Sequence, residues 1–188
     1  LADLFLESPP MREFRKKHNL TLVGGTSNLL AALLKAYKQF GGQGKTNIAV
    51  VEFRPPYGGQ SEYDIFREAF REEGYNVEIV SPDQLEYRNR VLRKGNFEIN
   101  LVYRRVSVQE LLMRFDLSHP LVQAYREHAV CVVNSFRSEL AHKKAMFGLL
   151  TDETLTAKFP AGERKALREH VPWTRLVAAG KTTYRDQN

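Results

Sequence analysis

Short apolar runs alternate with amphipathic stretches along this chain, and that alternation predicts its secondary structure. Four runs rich in aliphatic and aromatic residues have the length of buried strands, at 47–53, 77–80, 99–103 and 129–133. Between them, apolar residues recur at three- and four-residue spacing, as in helices with one buried face. Strands that alternate with helices predict an α/β fold, in which a mostly parallel sheet carries helices on both faces.

Two helices flank the first strand and have clear start and stop signals. One begins at Thr26–Ser27, which can cap it, and ends at Gly41–Gly42. The other begins at Ser61, because Ser61 and Asp64 have the spacing of a capping box, and it ends at Gly74. The expected apolar faces are Leu30, Leu33, Leu34 and Tyr37 in the first helix and Tyr63, Phe66 and Phe70 in the second.

The remaining patterns predict shorter elements. Residues 1–18 favour one or two short helices interrupted at Pro9–Pro10, and 86–92 favour a hairpin with the segment from Phe97 onward. Further helices are expected at about 109–115, 120–128, 138–150 and 160–170, and a last strand at 174–178. The chain is thereby divided into an N-terminal helical segment packed on the core (1–45), an α/β domain (46–178) and the start of a following region (179–188).

Several general features of the sequence limit the class of protein to which the chain can belong. The first residue is not Met and no stop-like feature precedes the last, which favours a fragment of a longer protein. Cys131, the single cysteine, lies in an apolar run and is interpreted as a core residue. A chain that can form no internal disulfide fits the reducing cytoplasm. No apolar run is long enough to span a membrane, so no membrane partner is expected.

The formal net charge of +6 is compatible with a polyanionic partner. However, Lys and Arg alternate with Glu along the helical segments, as in Arg67–Glu68, which favours solvated helix faces over a nucleic-acid stripe. A local site for ATP or a carboxylate explains the excess equally well. The segment Gly41–Thr46 resembles a phosphate-binding loop, but it follows a helix and opens a strand, the reverse of what that motif requires.

Candidate binding residues follow the predicted strands, because parallel sheets bind ligands beyond the carboxyl ends of their strands. Arg54, after the first strand, could make a charge-assisted contact, and Glu62 lies in the first turn of the next helix. Alternatively, Glu62 complements the helix dipole and Arg54 pairs with a neighbour. Asn134 follows the strand at 129–133.

Arg104 and Arg105 directly follow the apolar strand at 99–103. Side chains alternate along a strand, so the two guanidinium groups should point to opposite sides, one toward a cleft and the other toward a helix. Arginine suits bidentate contact with phosphate or carboxylate. The alternative is a structural salt bridge at the end of the strand.

The order and spacing of several segments carry a resemblance to a known family. These segments are Val102–Arg105, His119–Leu121, Val132–Phe136, Lys144–Ala145 and Val171–Arg175, with Glu62–Tyr63 and Phe66 ahead of Gly74. Together they resemble the circularly permuted ATP-grasp family, whose best-known branch includes glutathionylspermidine synthase. The resemblance covers roughly residues 47–178.

The resemblance implies a fragment of an ATP-dependent carboxylate–amine ligase, from the Rossmann-like layer that precedes and joins the ATP-grasp lobes. In such a ligase, ATP phosphorylates a substrate carboxylate, an amine attacks the acyl phosphate, and magnesium neutralises the phosphates. Lys144 looks like a nucleotide contact, and Glu62, Arg104 and Arg105 look like substrate-side positions. The magnesium carboxylates are expected outside this chain, which should therefore be inactive alone and depend on the remaining ATP-grasp domain of the same protein.

Two functions of other classes stay open from the residues themselves. One is a noncatalytic binding or scaffold domain that kept an α/β fold without its chemistry. The other is an anion- or nucleic-acid-binding module, which the net charge motivates.

Overall fold

The chain divides into two compact units in a computed structural model that describes residues 5–20, 24–53, 61–180 and 184. The first unit is Leu1–Ser135 and the second is Phe136–Asn188. The boundary between them lies inside the range 46–178, which the sequence patterns assigned to a single domain.

In chain order, the described residues of the first unit form α1 (Pro9–Lys17), α2 (Thr26–Phe40), β1 (Asn47–Val51), α3 (Glu62–Glu72), β2 (Asn76–Val80), β3 (Glu86–Arg88), β4 (Val91–Lys94), β5 (Phe97–Ile99), β6 (Leu101–Arg104), α4 (Val108–Arg114), α5 (Pro120–Arg126) and β7 (Cys131–Val133). Those of the second unit form α6 (Glu139–His142), α7 (Ala145–Leu150), α8 (Glu153–Thr156) and α9 (Ala161–His170). Short 3-10 turns lie at Pro82–Gln84 and Phe136–Ser138.

A parallel sheet with the strand order β2-β1-β6-β7 confirms the predicted α/β fold. The chain leaves β1 toward β2 through α3, and it leaves β6 in the opposite direction, toward β7, through α4 and α5. Because crossovers between parallel strands are right-handed, two crossovers that run in opposite directions lie on opposite faces of the sheet. This is a doubly wound, Rossmann-like arrangement, and its switch point lies between the carboxyl ends of β1 and β6.

The core explains why the parallel strands are mostly apolar. On one face, alternate residues of all four strands pack with Leu30 and Leu33 of α2 and Phe70 of α3. The opposite face is covered as well, since Ala49, Val51, Val80 and Val102 are fully buried. Strands buried on both faces cannot alternate between apolar and polar residues, so they read as continuous apolar runs.

The two helices on the first face begin and end where their sequence signals indicate. Helix α2 starts at Thr26 and stops at Gly41, whose positive φ of 101° suits glycine. At the start of α3, the Ser61 backbone N–H donates to Asp64 Oδ2 at 2.9 Å, which completes the predicted capping box. Residues 5 and 6 are helical, the chain turns at 7–8, and a second helix, α1, begins at Pro9, which confirms the expected break at this point. Proline is tolerated there because its missing N–H would have no helical partner in the first turn.

The segment 86–103 contains more turns than its pattern indicated. The expected strand at 86–92 is broken at Asn89 and Arg90, which both have positive φ and join β3 to β4. Strand β4 then pairs with β5 across Gly95–Asn96, as expected of a hairpin. The strand expected at 99–103 is also divided, because Ile99 belongs to the antiparallel sheet and Leu101 begins β6 of the parallel sheet.

In the second unit, the continuous helix expected at 138–150 is replaced by the separate helices α6 and α7. The break falls at Lys143, whose extended backbone (φ −74°, ψ 128°) ends α6. Side chains that were expected to pack, such as Leu140 and Leu149, are exposed. Helix α9 confirms the expected helix at 160–170, whereas 174–178 form no strand.

Candidate functional site

The switch point brings the end of β1, the end of β6 and the start of α3 to one edge of the sheet. The Arg105 backbone N–H donates to Val51 O at 2.9 Å, which carries the pairing of β6 with β1 one residue beyond β6 itself. Glu52 follows β1 and its N–H donates to Val80 O at 3.1 Å, so its backbone is held against β2. The side chains of Glu52, Glu62, Tyr63, Tyr103 and Arg105 meet here, and they are called the switch-point cluster below.

Arg105 occupies the middle of the switch-point cluster. Its guanidinium donates to the hydroxyls of Tyr63 and Tyr103 and to Glu62 Oε1, each at 3.4 Å. Its Cζ atom lies 5.5 Å and 5.7 Å from the centroids of the two tyrosine rings, within cation–π range. The hydrogen bond with Tyr63 raises the pKa of Arg105 above its usual range, so the group is charged at any physiological pH.

Tyr63 links the arginine to a second carboxylate. Its hydroxyl accepts from Arg105 Nε and donates to Glu52 Oε2 at 3.3 Å. Burial, opposed by the hydrogen bond from Arg105, raises the pKa of Tyr63 above its ordinary value of 10.0. The phenol is therefore protonated near neutral pH, and its single proton is donated to Glu52.

The Arg104 side chain points to the opposite side of the strand from Arg105, and its guanidinium is bonded to backbone carbonyl groups. It is 5% exposed, and its guanidinium donates to Asn134 O at 2.9 Å, to Ser135 O at 3.4 Å and to Val106 O. These bonds fasten the end of β6 to the segment after β7. The opposite orientations of Arg104 and Arg105 agree with strand alternation, and contact of Arg104 with a ligand stays a prediction.

The other predicted site residues are distributed as follows. Asn134 is exposed, and its Nδ2 donates to Arg104 O at 3.3 Å. It therefore adds a further hydrogen bond between the end of β6 and the segment after β7. Lys144 is exposed at the start of α7 in the second unit. Arg54 lies outside the described residues.

Sequence reasoning found Glu62 and Arg105 but missed Glu52, Tyr63 and Tyr103 as site residues. For Tyr103 and Glu52, the sequence held a signal that could have identified them as site residues. Tyr103 precedes Arg105 by two positions and Glu52 follows Val50 by two, so alternation puts each pair on the same face. Their meeting still depends on the pairing of β6 with β1, which a sequence pattern does not specify.

A cavity of about 500 Å³ lies elsewhere in the first unit, between the turn at 82–85 and the segment 113–120. His119 lines it, and its ring is fixed by Nε2 at 3.1 Å from Pro82 O and by Nδ1, which accepts from the Leu121 N–H at 3.2 Å. Burial lowers the pKa of His119 below its usual value of 6.5, so the ring is neutral and its two nitrogens are already engaged.

Fold and geometry thus define a doubly wound α/β protein with a charged, arginine-centred site at its switch point. No protein-family model matches this chain, and no curated protein is significantly similar to it in sequence. Across the described ranges, no three His, Cys, Asp or Glu side chains are grouped so as to hold a metal ion. No helix in the described part of the chain is long and apolar enough to cross a membrane.

Proposed function

We propose that the first unit binds the carboxylate of a small-molecule substrate at the switch-point cluster and does so as part of an ATP-dependent carboxylate–amine ligase. The observation that carries the proposal is the position of Arg105. A partly exposed guanidinium lies where doubly wound sheets bind their ligands, and aromatic neighbours hold it in place.

The contacts of Arg105 suit the binding of an incoming carboxylate. Its three hydrogen bonds, each at 3.4 Å, are longer than the range of roughly 2.7–3.2 Å usual for N–H···O bonds, so they orient the guanidinium without saturating it. Its ion pair with Glu62 joins side chains that are 36% and 43% exposed, and such pairs contribute only about 0–1 kcal/mol. A ligand carboxylate can therefore replace Glu62 at little cost and gain the bidentate geometry that arginine favours.

The ligase part of the proposal is supported by the resemblance of residues 47–178 to the circularly permuted ATP-grasp family. In a ligase of that family, ATP phosphorylates the bound carboxylate with release of ADP, and an amine then displaces phosphate to form an amide. Under this proposal Lys144 contacts the nucleotide, the protein acts in the cytoplasm, and the ATP-grasp domain of the same protein completes the enzyme. By the same resemblance, the carboxylates that bind magnesium are assigned to that domain.

Binding of simple carboxylates tests the first part. The 188-residue chain is labelled with ¹⁵N and titrated with L-glutamate, succinate and citrate at constant ionic strength, with succinamide as the uncharged control. We expect amide shifts at 51–53, 61–63 and 103–106, and roughly tenfold weaker binding in Arg105→Ala, since a hydrogen bond to a charged group contributes about 1.5–3 kcal/mol. Arg88→Ala, which removes an arginine that is 78% exposed and pairs with Glu86, is the matched control and should bind normally.

ATP turnover by the complete protein tests the second part. With magnesium, a carboxylate that binds and a panel of amines, we expect ADP release that Arg105→Ala reduces and Arg88→Ala does not. Carboxylate binding without any ATP consumption would instead favour the noncatalytic binding domain. The absence of localised shifts with all three carboxylates would refute the binding site itself.

A further inference from the structure

We propose that the switch-point cluster selects a zwitterion, in which an ammonium and a carboxylate are attached to the same carbon, as in an α-amino acid. The inference rests on the proposed carboxylate site and narrows its substrate class. It follows from the balance and the spacing of the charges around Arg105.

The cluster carries more negative than positive charge. Its charged members are Arg105, Glu52 and Glu62, whose formal charges sum to −1. Asp64, the next carboxylate along α3, is occupied by the Ser61 N–H and by Arg67 at 3.2 Å. A ligand that brings only a carboxylate would make the net charge more negative, from −1 to −2, whereas a zwitterion leaves it unchanged.

Each charge of a zwitterion has a complementary group within the cluster. A ligand carboxylate on Arg105 replaces the contact that Glu62 Oε1 makes with Nη2. Glu62 then lies beside the bound ligand without its arginine partner, which makes it an acceptor for the ligand ammonium. Glu52 Oε2 accepts from the Tyr63 hydroxyl at 3.3 Å, and that hydroxyl accepts from Arg105 Nε, so Glu52 offers a second acceptor one hydroxyl group away from the same guanidinium.

The spacing favours charges that are close together in the ligand. Arg105 Nη2 and Glu62 Oε1 are 3.4 Å apart, so the groups that receive the carboxylate and the ammonium are immediate neighbours. An α-amino acid has its two charges separated by a single carbon and can contact both groups at once. An amino acid whose charges lie at opposite ends of a long chain cannot do so without folding back on itself, which costs conformational entropy.

A matched set of small probes tests the inference in the 188-residue chain by the same amide-shift titration. The probes are glycine, N-acetylglycine, which lacks the ammonium, glycinamide, which lacks the carboxylate, and 6-aminohexanoic acid, which separates the two charges. Ligands of this size bind in about the millimolar range, where NMR titration is accurate. We expect glycine to bind the cluster roughly two- to fivefold more tightly than N-acetylglycine and 6-aminohexanoic acid, in line with the contribution of one exposed ion pair.

Substitution of Glu62 distinguishes selection of a zwitterion from simple binding of a carboxylate. In Glu62→Gln, glycine should bind more weakly because an acceptor for its ammonium is lost. N-acetylglycine should bind more tightly because a competitor for Arg105 is lost. Glu72→Gln, at the other end of α3, is the matched control and should change neither affinity.

The possible results separate this inference from the proposed function. If N-acetylglycine binds the cluster as tightly as glycine and both gain affinity in Glu62→Gln, the carboxylate site stands and the zwitterion inference is overturned. If glycinamide binds most tightly of the four, both are overturned, because the site then recognises an amine. If none of the probes shifts the cluster amides, both are again overturned.

Discussion

The contrast between Arg104 and Arg105 leads to the sharpest prediction about this fold. The two residues are adjacent in sequence, and the change to Met removes the same charged group from each while keeping a long side chain. Arg104→Met removes a buried guanidinium whose bonds reach Asn134, Ser135 and Val106. Arg105→Met removes a guanidinium that is 36% exposed and makes only long contacts within the switch-point cluster.

The expected magnitudes follow from burial and bond length. A hydrogen bond to a charged group contributes about 1.5–3 kcal/mol, and Arg104 donates to Asn134 O at 2.9 Å and to Val106 O. The 3.4 Å bond to Ser135 O adds little. Arg104→Met should therefore lower the free energy of unfolding of the first unit by about 3 kcal/mol, whereas Arg105→Met should lower it by about 0–1 kcal/mol.

Hydrogen exchange measures this difference within the first unit. The N–H groups of Arg105 and Val106 both donate to Val51 O, so peptides that cover β1 and β6 report the stability at the affected position. A loss of about 3 kcal/mol corresponds to exchange that is faster by roughly a hundredfold. Urea unfolding followed by circular dichroism provides an independent value.

The ligand titration supplies the complementary measurement. Arg105→Met should weaken carboxylate binding roughly tenfold with little change in exchange, since a hydrogen bond to a charged group contributes about 1.5–3 kcal/mol, and Arg104→Met should speed exchange while folded molecules still bind. Equal destabilisation by the two substitutions, or greater destabilisation by Arg105→Met, would contradict the structural role of Arg104.

Three further predictions concern the core and its titratable groups. Burial raises the pKa of the Cys131 thiol from 9.0 to about 11, so the native protein should resist alkylation at pH 8 and react only on unfolding. The free energy of unfolding should fall as the pH rises from 9.0 toward 11, because the thiol ionises first in the unfolded protein. Burial lowers the pKa of His119, so the free energy of unfolding should decrease as the pH falls below 6.5, and urea titrations of His119→Asn should show a smaller decrease. Leu33→Ala should cost about 2–5 kcal/mol in urea unfolding, because Leu33 is fully buried, whereas the same change at the exposed Leu117 should cost little.

The parallel sheet was predictable because its strands are buried on both faces. That burial makes β1, β2, β6 and β7 apolar at most positions, so each strand appears in the sequence as a largely apolar run. The capping box at Ser61 and the glycine stop at Gly41 were equally visible, since each reflects a local requirement of the helix backbone.

The errors occurred where local chemistry carried little information. Asn89 and Arg90 form the turn between β3 and β4 without glycine or proline, so the segment 86–92 resembled one strand. The break between α6 and α7 at Lys143 has no helix-breaking residue either. Leu140 and Leu149 are exposed, so an apolar stripe on a predicted helix does not guarantee a buried face. Tertiary context overrides propensity at such positions.

The candidate site was predictable only in part, for a reason that lies in strand order. Arg105 was identifiable from its place at the end of a strand, and alternation separated it from Arg104. The partners Tyr63 and Glu52 reach it because β6 lies beside β1, although the Arg105–Glu62 contact spans 43 residues of sequence. Nothing in a local pattern indicates which strands are neighbours.

The central position of β1 also has a consequence for how the chain acquires its structure. Asn47, at the start of β1, contacts Asn76 across 29 residues and Asn100 across 53, so β1 can pair with its two neighbours only after those later residues have been synthesised. Closing such long loops slows folding. Until β1 has paired with both neighbouring strands, its apolar residues are exposed and can cause aggregation. Pulse-labelling hydrogen exchange should therefore show the amides of β1 gaining protection together with those of β6, and a nascent chain that ends before residue 101 should depend on chaperones to stay unaggregated.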